Sequence, residues 1–335
     1  MTMKIGRTAC AAALMLGLPG AGQAADSLTF VLNWTTSGEH AAVYYAQDAG
    51  WFAEADLDVM IEQGQGSTVA AQRVGAGSAE MGIADLGAAM VAKGAGADLK
   101  AVMNIYANSP YQMYWLKDSG MTGLKDFPGH KFGNPPADAA RAMWPALAEV
   151  SGIDPESVQW VNISPAAKVS ALMSGDIDGT TYFSNYHHIM AEAFGDRLMW
   201  FAWRDQGMNP YGNSVVANGE FLRDNPEAVG RFVRVMQRAS VYCAEHAQQC
   251  VDVLPKYASG LRIESEIQNW NGVIELMTDE TSTTVAMGQF VPERVAADAE
   301  LVSKVFDIQT EFSPEEIYTN EFLDASIKMV AAPAN

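Results

Sequence analysis

Two rhythms of apolar and polar positions alternate along the first two thirds of this chain. Short runs such as "LTFVLNW", "LDVMIEQ", "EMGIAD" and "LKAVMNIY" are rich in β-branched and large apolar residues, and each predicts a strand. Between them lie "EHAAVYYAQDAGWF", "TVAAQRVGAG" and "LGAAMVAKGAG". Their apolar residues recur at helical spacing, and the first predicts a helix ending at Gly50, a residue suited to the left-handed cap. The alternation continues with strands at "YQMYWLKD", "HKFGN", "VQWVNI" and "IDGTTYF", and helices at "ADAARAMWPALAEVSG" and "PAAKVSALMSG". Strand–helix alternation of this kind predicts parallel sheets with helical crossovers. After "YGNSVVAN" the pattern changes to a long run of helices.

The first 24 residues follow neither rhythm. Lys4 and Arg7 precede the apolar run "AAALMLGLPG", and the small residues "AGQA" follow it. This is the layout of a secretory signal peptide cleaved after Ala24. The run is too short to span a bilayer, and no later stretch reaches spanning length, so the mature chain is expected to be exported and periplasmic. Removing Met1–Ala24 takes away two basic residues and no acidic one, shifting the formal charge from −19 to −21. Such a surface disfavours nucleic acid and anionic lipid, whose binding depends on Lys and Arg. A hydrophobic fraction of 49% with only 18% charged residues supplies real cores and argues against disorder. About 310 mature residues suit two domains.

Beyond the leader, the cysteines are Cys243 and Cys250 in "YCAEHAQQCVDVL". On one continuous helix their Cα atoms would stand about 10 Å apart, too far to bridge. A turn at "EHAQQ" brings them together, and an oxidising compartment then favours a disulfide. Two free buried thiols are the alternative, and the spacing fits no standard zinc site.

The stretch "LNWTTSGEHAAVYYAQDAGWFAEADLDVMIEQGQGS" resembles the opening of the periplasmic solute-binding proteins that deliver thiamine pyrimidine precursors to ABC importers. Nitrate, sulfonate and taurine binders belong to the same superfamily. The likeness continues through "GAGSAEMGIAD", "LKAVMNIY", "LKDFPGHKFGNPPADAARAMWPALAEVSGIDPESVQWVNISPAAKVSALMSGDIDG" and "EHAQQCVDVLPKYA". It implies an α/β fold of the type-II periplasmic-binding-protein kind, with two lobes joined by two crossing strands and the ligand in the cleft. Lobe one would hold residues 26–112 and 214–335, and lobe two residues 113–213. It also implies a monomer that docks on a membrane permease with its ATPase, and no cofactor.

In such sheets ligands meet the carboxyl ends of strands and the helix N-termini after them. That places Asn33 and Trp34, at the end of the first strand, and His40, in the first turn beyond, as candidate ligand contacts. Trp34 offers a π face, and Asn33 and His40 offer hydrogen bonds; the alternative is a packed Trp34 and a solvated His40. The "GQGS" turn before a helix offers amides and Ser67. Asp85 either accepts from a ligand amine or caps the next helix. The first turn of the helix beginning in "NPPADAARAMW" can face the cleft, so Asp138 is a candidate ligand contact or that helix's cap, and Arg141 either reaches a carboxylate or sulfonate or is simply solvated.

"TTYFSNYHHIM" contributes Tyr182, Asn185, Tyr186 and His187. The pyrimidine binders that this region resembles carry Asn-Tyr-Glu there, the carboxylate pairing with the ring's amidine edge. Here His187 replaces that glutamate, and a neutral imidazole has one acceptor rather than two. Tyr211 stands near the second crossing. Tyr106, Tyr111 and Tyr114 at the first crossing raise the possibility of a methylated-ammonium cage.

An enzyme is the rival class. No G-x-S-x-G elbow, P-loop or H-E-x-x-H helix occurs, and "GAGSAEMG" lacks the third glycine of a dinucleotide loop. A pyrimidine-forming enzyme shares the resembled fold, but its cysteine-rich motif has no counterpart here. The expected role is therefore the solute-binding component of an ABC importer, clamping a small planar nitrogen heterocycle. Alternatives are a binder of an aliphatic sulfonate, a carboxylate or a methylated ammonium compound, or a ligand-binding sensor subunit.

Overall fold

The computed structural model describes residues 1–2 and 25–330. The expected signal peptide therefore lies outside the described residues, apart from Met1 and Thr2. Among the described residues, ten strands form two five-stranded sheets. The first holds β1 (Asp26–Val31), β2 (Leu57–Glu62), β3 (Met81–Asp85), β4 (Leu99–Asn104) and β10 (Asn213–Asn218), in the order β2-β1-β3-β10-β4. The second holds β5 (Tyr111–Leu116), β6 (Lys131–Asn134), β7 (Gln159–Asn162), β8 (Gly179–Phe183) and β9 (Leu198–Ala202), in the order β7-β6-β8-β5-β9.

The expected alternation of strands and helices is present, but the sheets are mixed rather than parallel. β1 pairs in parallel with β2 and β3, as successive helical crossovers require. β10 runs antiparallel between β3 and β4, because it re-enters the first sheet after the excursion through the second. β5 is likewise antiparallel to β8 and β9.

The long apolar faces explain the helical run that follows β10. The helix Pro226–Glu245 buries Val229, Phe232, Val233, Met236 and Ala239, and Phe232 packs its ring against Phe30 and Phe52 of the first sheet's layer. The helix Ile263–Met277 adds Trp270 and Leu276 to the same core. A second core runs from Val31 and Ala84 through Tyr111 and Trp203 to Trp115 and Phe132. The first crossing, residues 105–110, is buried apart from half-buried Asn108, while the second, residues 203–212, buries Trp203, Met208 and Tyr211 and exposes residues 204–207 and Asn209.

Helix Pro226–Glu245 breaks at His246, whose backbone leaves the helical region, and Ala247–Val251 starts a new helix. The break brings Cys243 and Cys250 to a Cα separation of 5.6 Å, and they form a disulfide. Among the described residues, no helix is long and apolar enough to cross a membrane.

Candidate functional site

The carboxyl ends of β1 and β8 face each other across a nearly filled cavity of about 30 Å³, room for one or two water molecules. Asn33, Trp34, Glu39 and Ser67 line it from the first-sheet side. Asp138, Ala139, Lys168, Tyr182, Phe183 and Tyr186 line it from the second.

The first-sheet wall is built by backbone hydrogen bonds. β1 ends at Val31, and the chain turns outward at Asn33 and Trp34. Their carbonyls accept from the amides of Gly66 (2.8 Å) and Gly64 (2.9 Å). Of the "GQGS" amides expected to meet a ligand, those of Gly64 and Gly66 are thus occupied in positioning Trp34 and Asn33. Gly66 adopts a positive φ of 123°, and a Cβ there would strike the carbonyl of Ala137 across the cleft.

The turn Gly38–His40 follows, held by the Gly38 amide donating to Glu266 (2.6 Å) on the helix Ile263–Met277. This turn carries Glu39 into the interior, only 7% exposed. Glu39 Oε2 accepts from the Tyr106 hydroxyl (3.1 Å) and Asn185 Nδ2 (3.4 Å), and Oε1 from Asn33 Nδ2 (3.4 Å). Burial pushes its carboxyl up to about 7, although hydrogen bonds from Tyr106, Asn185 and Asn33 pull the other way.

His40 lies beside it, its Nε2 3.3 Å from Glu39 Oε1. The Ser37 amide donates to His40 Nδ1 (3.3 Å), so Nδ1 carries no proton, and Nε2–H donates to Asn33 Oδ1 (3.0 Å). That tautomer is neutral, and burial pulls the imidazole down to about 3. His40 accordingly orients Asn33 rather than lining the cavity, and gives Glu39 no countercharge.

The second-sheet wall contains an ion pair. Asp138 caps the helix Ala139–Ser151 by accepting from the Arg141 amide (3.1 Å). Its other oxygen binds Lys168 Nζ at 2.8 Å. Lys168 stands at the start of the helix Lys168–Ser174, is 1% exposed, and also donates to the Thr181 carbonyl (2.8 Å). Burial lowers its affinity for the proton, and Asp138 opposes that shift. The ammonium sits 4.4 Å from the Tyr182 ring centroid and 5.5 Å from that of Trp34, within cation–π range of both.

The two sides touch around the cavity. Ser37 and Tyr186 share a hydroxyl hydrogen bond of 2.8 Å. His188 meets Ser265 at 2.9 Å, and Arg262 pairs with Glu192 at 2.8 Å. Gly272 lies so close to Asn185 that a Cβ there would meet its Cα at 2.7 Å.

Of the residues singled out from sequence, Asn33, Trp34, Ser67, Asp138, Tyr182 and Tyr186 are brought to the cavity, while His40 and Asn185 stand behind its wall as supports. Four are placed elsewhere. Asp85 caps the helix Leu86–Gly94 through the Ala88 amide (3.2 Å) and is fully buried. Arg141 donates to the Asn134 carbonyl (2.9 Å) and Asn162 (2.7 Å), stacked near Trp160. His187 contacts the Tyr114 hydroxyl (3.2 Å) and the Trp200 ring. Tyr211 packs on Phe290 under Arg294. Tyr106, Tyr111 and Tyr114 are buried in the interior rather than forming a cage in the cavity. Glu39, Lys168 and Phe183 line the cavity without having been singled out.

A family model described as NMT1/THI5 like matches residues 37–250. The chain belongs to the NMT1/THI5-like family. Among curated NMT1/THI5 relatives, a Legionella pneumophila protein named 4-amino-5-hydroxymethyl-2-methylpyrimidine phosphate synthase is 23% identical over 301 residues, covering 88% of this chain and 92% of that protein. Among solved structures, a Bordetella bronchiseptica protein superposes with a TM-score of 0.71 at 20% identity, covering 88% of this chain and 95% of the other. The periplasmic aliphatic sulphonate binding protein SsuA of Escherichia coli gives a TM-score of 0.65 at 14% identity, over 89% and 99%. This NMT1/THI5-like chain therefore has the periplasmic-binding-protein fold.

Proposed function

We propose that the protein is the extracytoplasmic solute-binding component of an ABC importer. In this reading two lobes, residues 26–112 with 214–335 and residues 113–213, close on a small planar nitrogen heterocycle. Ligand binding favours the closed form by its differential affinity, and the closed monomer is what the permease and its ATPase receive.

One observation carries this reading. The cavity has aromatic walls from both sides, Trp34 facing Tyr182, Phe183 and Tyr186, and the one lining carboxylate without a cationic partner is Glu39. Flat rings favour a flat ligand, and a carboxylate favours one that presents N–H groups. The same charges disfavour the rivals. An aliphatic sulfonate needs a surplus cation, but Arg141 is directed elsewhere and Lys168 is paired with Asp138. A quaternary ammonium would have to displace Lys168 from the Tyr182 face. Relatives named as pyrimidine phosphate synthases keep an enzymatic role in view. Against it, no cysteine among the described residues lines the cavity, and Cys243 and Cys250 are joined to each other.

The test is a thermal-shift screen of aminopyrimidines, aliphatic sulfonates and betaines, followed by titration calorimetry. Aminopyrimidines are expected to stabilise the protein. Trp34→Ala should weaken their binding by about one to two powers of ten, the worth of one aromatic stacking partner. Stabilisation by aliphatic anions alone would sink the heterocycle reading.

A further inference from the structure

Lysine ordinarily carries its charged head to water, but Lys168 is 1% exposed and turns its head into the cleft. Asp138 Oδ2 and the Thr181 carbonyl each accept from its Nζ at 2.8 Å. The Tyr182 ring centroid lies 4.4 Å from the same nitrogen and that of Trp34 5.5 Å. A carboxylate, a carbonyl and aromatic faces are the components of a site for an ammonium ligand. Here the ammonium belongs to the chain itself.

The charges around the cavity show what this lysine prevents. Asp138 and Glu39 are its acidic lining residues and Lys168 its basic one. With Lys168 in place, Asp138 is neutralised and the two ring faces are engaged. Without it, the same cavity would hold two carboxylates and two open ring faces, an arrangement that draws in cations.

Resting on the reading of this cleft as the solute site, we propose that Lys168 is a specificity-determining residue, a tethered ammonium that occupies a cation site and so excludes alkylammonium solutes. Loss of its side chain uncovers that site. The class then admitted is a primary alkylammonium, which carries the N–H donors that Asp138 and the Thr181 carbonyl accept. A quaternary ammonium lacks them.

The test titrates Lys168→Ala with propylammonium, the fragment of side chain that the substitution removes, and follows it by NMR and thermal denaturation. The variant should bind propylammonium with an affinity on the order of millimolar, in keeping with so small a ligand, and wild type should not bind it. Propan-1-ol, of similar shape without the charge, should bind the variant at least about tenfold more weakly, and so should propylammonium in the double variant Lys168→Ala, Asp138→Asn. Absence of binding to Lys168→Ala, equal binding to wild type, or equal binding of amine and alcohol overturns the proposal. Undiminished affinity in the double variant would put the cation on Glu39 and overturn it as well. If Lys168→Ala folds poorly, its refolding yield in propylammonium against propan-1-ol reads the same preference, and equal yields count against the proposal. Wild type supplies a measurement that needs no folded alanine variant. In lysine-labelled protein one ε-methylene should be shifted upfield by the ring currents of Tyr182 and Trp34, and Tyr182→Leu should reduce that shift; ordinary shifts for every lysine would show that no ammonium is held between the rings. The heterocycle reading is decided separately, by the screen on wild type, so either can fail while the other stands.

Discussion

The two walls of the cavity each bury a carboxylate, and they treat it differently. Asp138 meets an ammonium at 2.8 Å and caps a helix. Glu39 meets amide and hydroxyl donors and a neutral imidazole. The first is a closed electrostatic unit that shapes the site. The second holds a charge that the protein leaves uncompensated, and burial raises its proton affinity in consequence. A buried charge balanced internally supports structure, while one left unbalanced is available to a ligand.

The largest way to break this contrast is to make the two walls alike. Lys168→Met leaves Asp138 buried without a partner and should cost about 3–5 kcal/mol of stability. Adding Asp138→Asn should recover most of the loss, and denaturant unfolding of both variants measures it. An equal loss in single and double variants would mean that Lys168 acts by packing alone.

A smaller effect concerns pH. The Glu39 carboxyl is raised from the usual 4.5 to about 7, so the folded state holds its proton where the unfolded chain releases it. Stability from this group is fully present below about pH 4.5 and is lost as pH rises toward 7, levelling off beyond. Asp85, raised by burial to about 6, and Asp298, to about 7, act with the same sign. Glu39→Gln should flatten the slope of stability against pH between 5 and 7 by up to about 1.4 kcal/mol per pH unit. Urea titrations at several pH values check it, and an unchanged slope would place the ionisation of Glu39 elsewhere.

The smallest effect sharpens the contrast by its absence. The Arg141 guanidinium bonds to the Asn134 carbonyl and to Asn162, at the ends of β6 and β7, and does not line the cavity. Arg141→Ala should cost about 1 kcal/mol of stability for the lost hydrogen bonds and leave ligand affinity unchanged within about twofold. Calorimetry on this variant that shows binding abolished would restore the anion reading.

Much of this was legible in the chain because strand ends and helix starts leave marks. "LNW" and "TTYF" end apolar runs, and Asn33, Trp34, Tyr182 and Tyr186 all reach the cavity. Asp138 reads as a helix cap and is one. What escaped were the charges. A glutamate in "TSGEH" and a lysine in "PAAKVSA" look like solvated surface. Each carried a signal. Glu39 lies in the turn just before a helix whose first residues, Ala41–Ala46, are all buried, as "AAVYYA" with no polar face suggests. Lys168 sits at a helix N-terminus, where the dipole disfavours a cation unless a carboxylate holds it.

Arg141 has the right spacing from Asp138, yet it follows the cap by most of a turn and so points to β7. Sheet direction was not legible either. Alternation fixes which segments pair with helices, but only the return path of the chain makes β10 antiparallel.

That return path bears on the order in which the protein can assemble. β3 and β4 are not neighbours in the first sheet; each bonds to β10, which lies between them. As the chain emerges from its N-terminus, both strands are complete long before Asn213–Asn218 arrives, and each waits with an open edge while the whole second sheet is made. Closing the first sheet therefore requires contacts far apart in sequence, the kind that form slowly, and exposed edges invite wrong pairing meanwhile. The second sheet repeats the arrangement over a shorter span, with β8 lying between β6 and β5, but all its strands fall within residues 111–202 and it is placed to finish first.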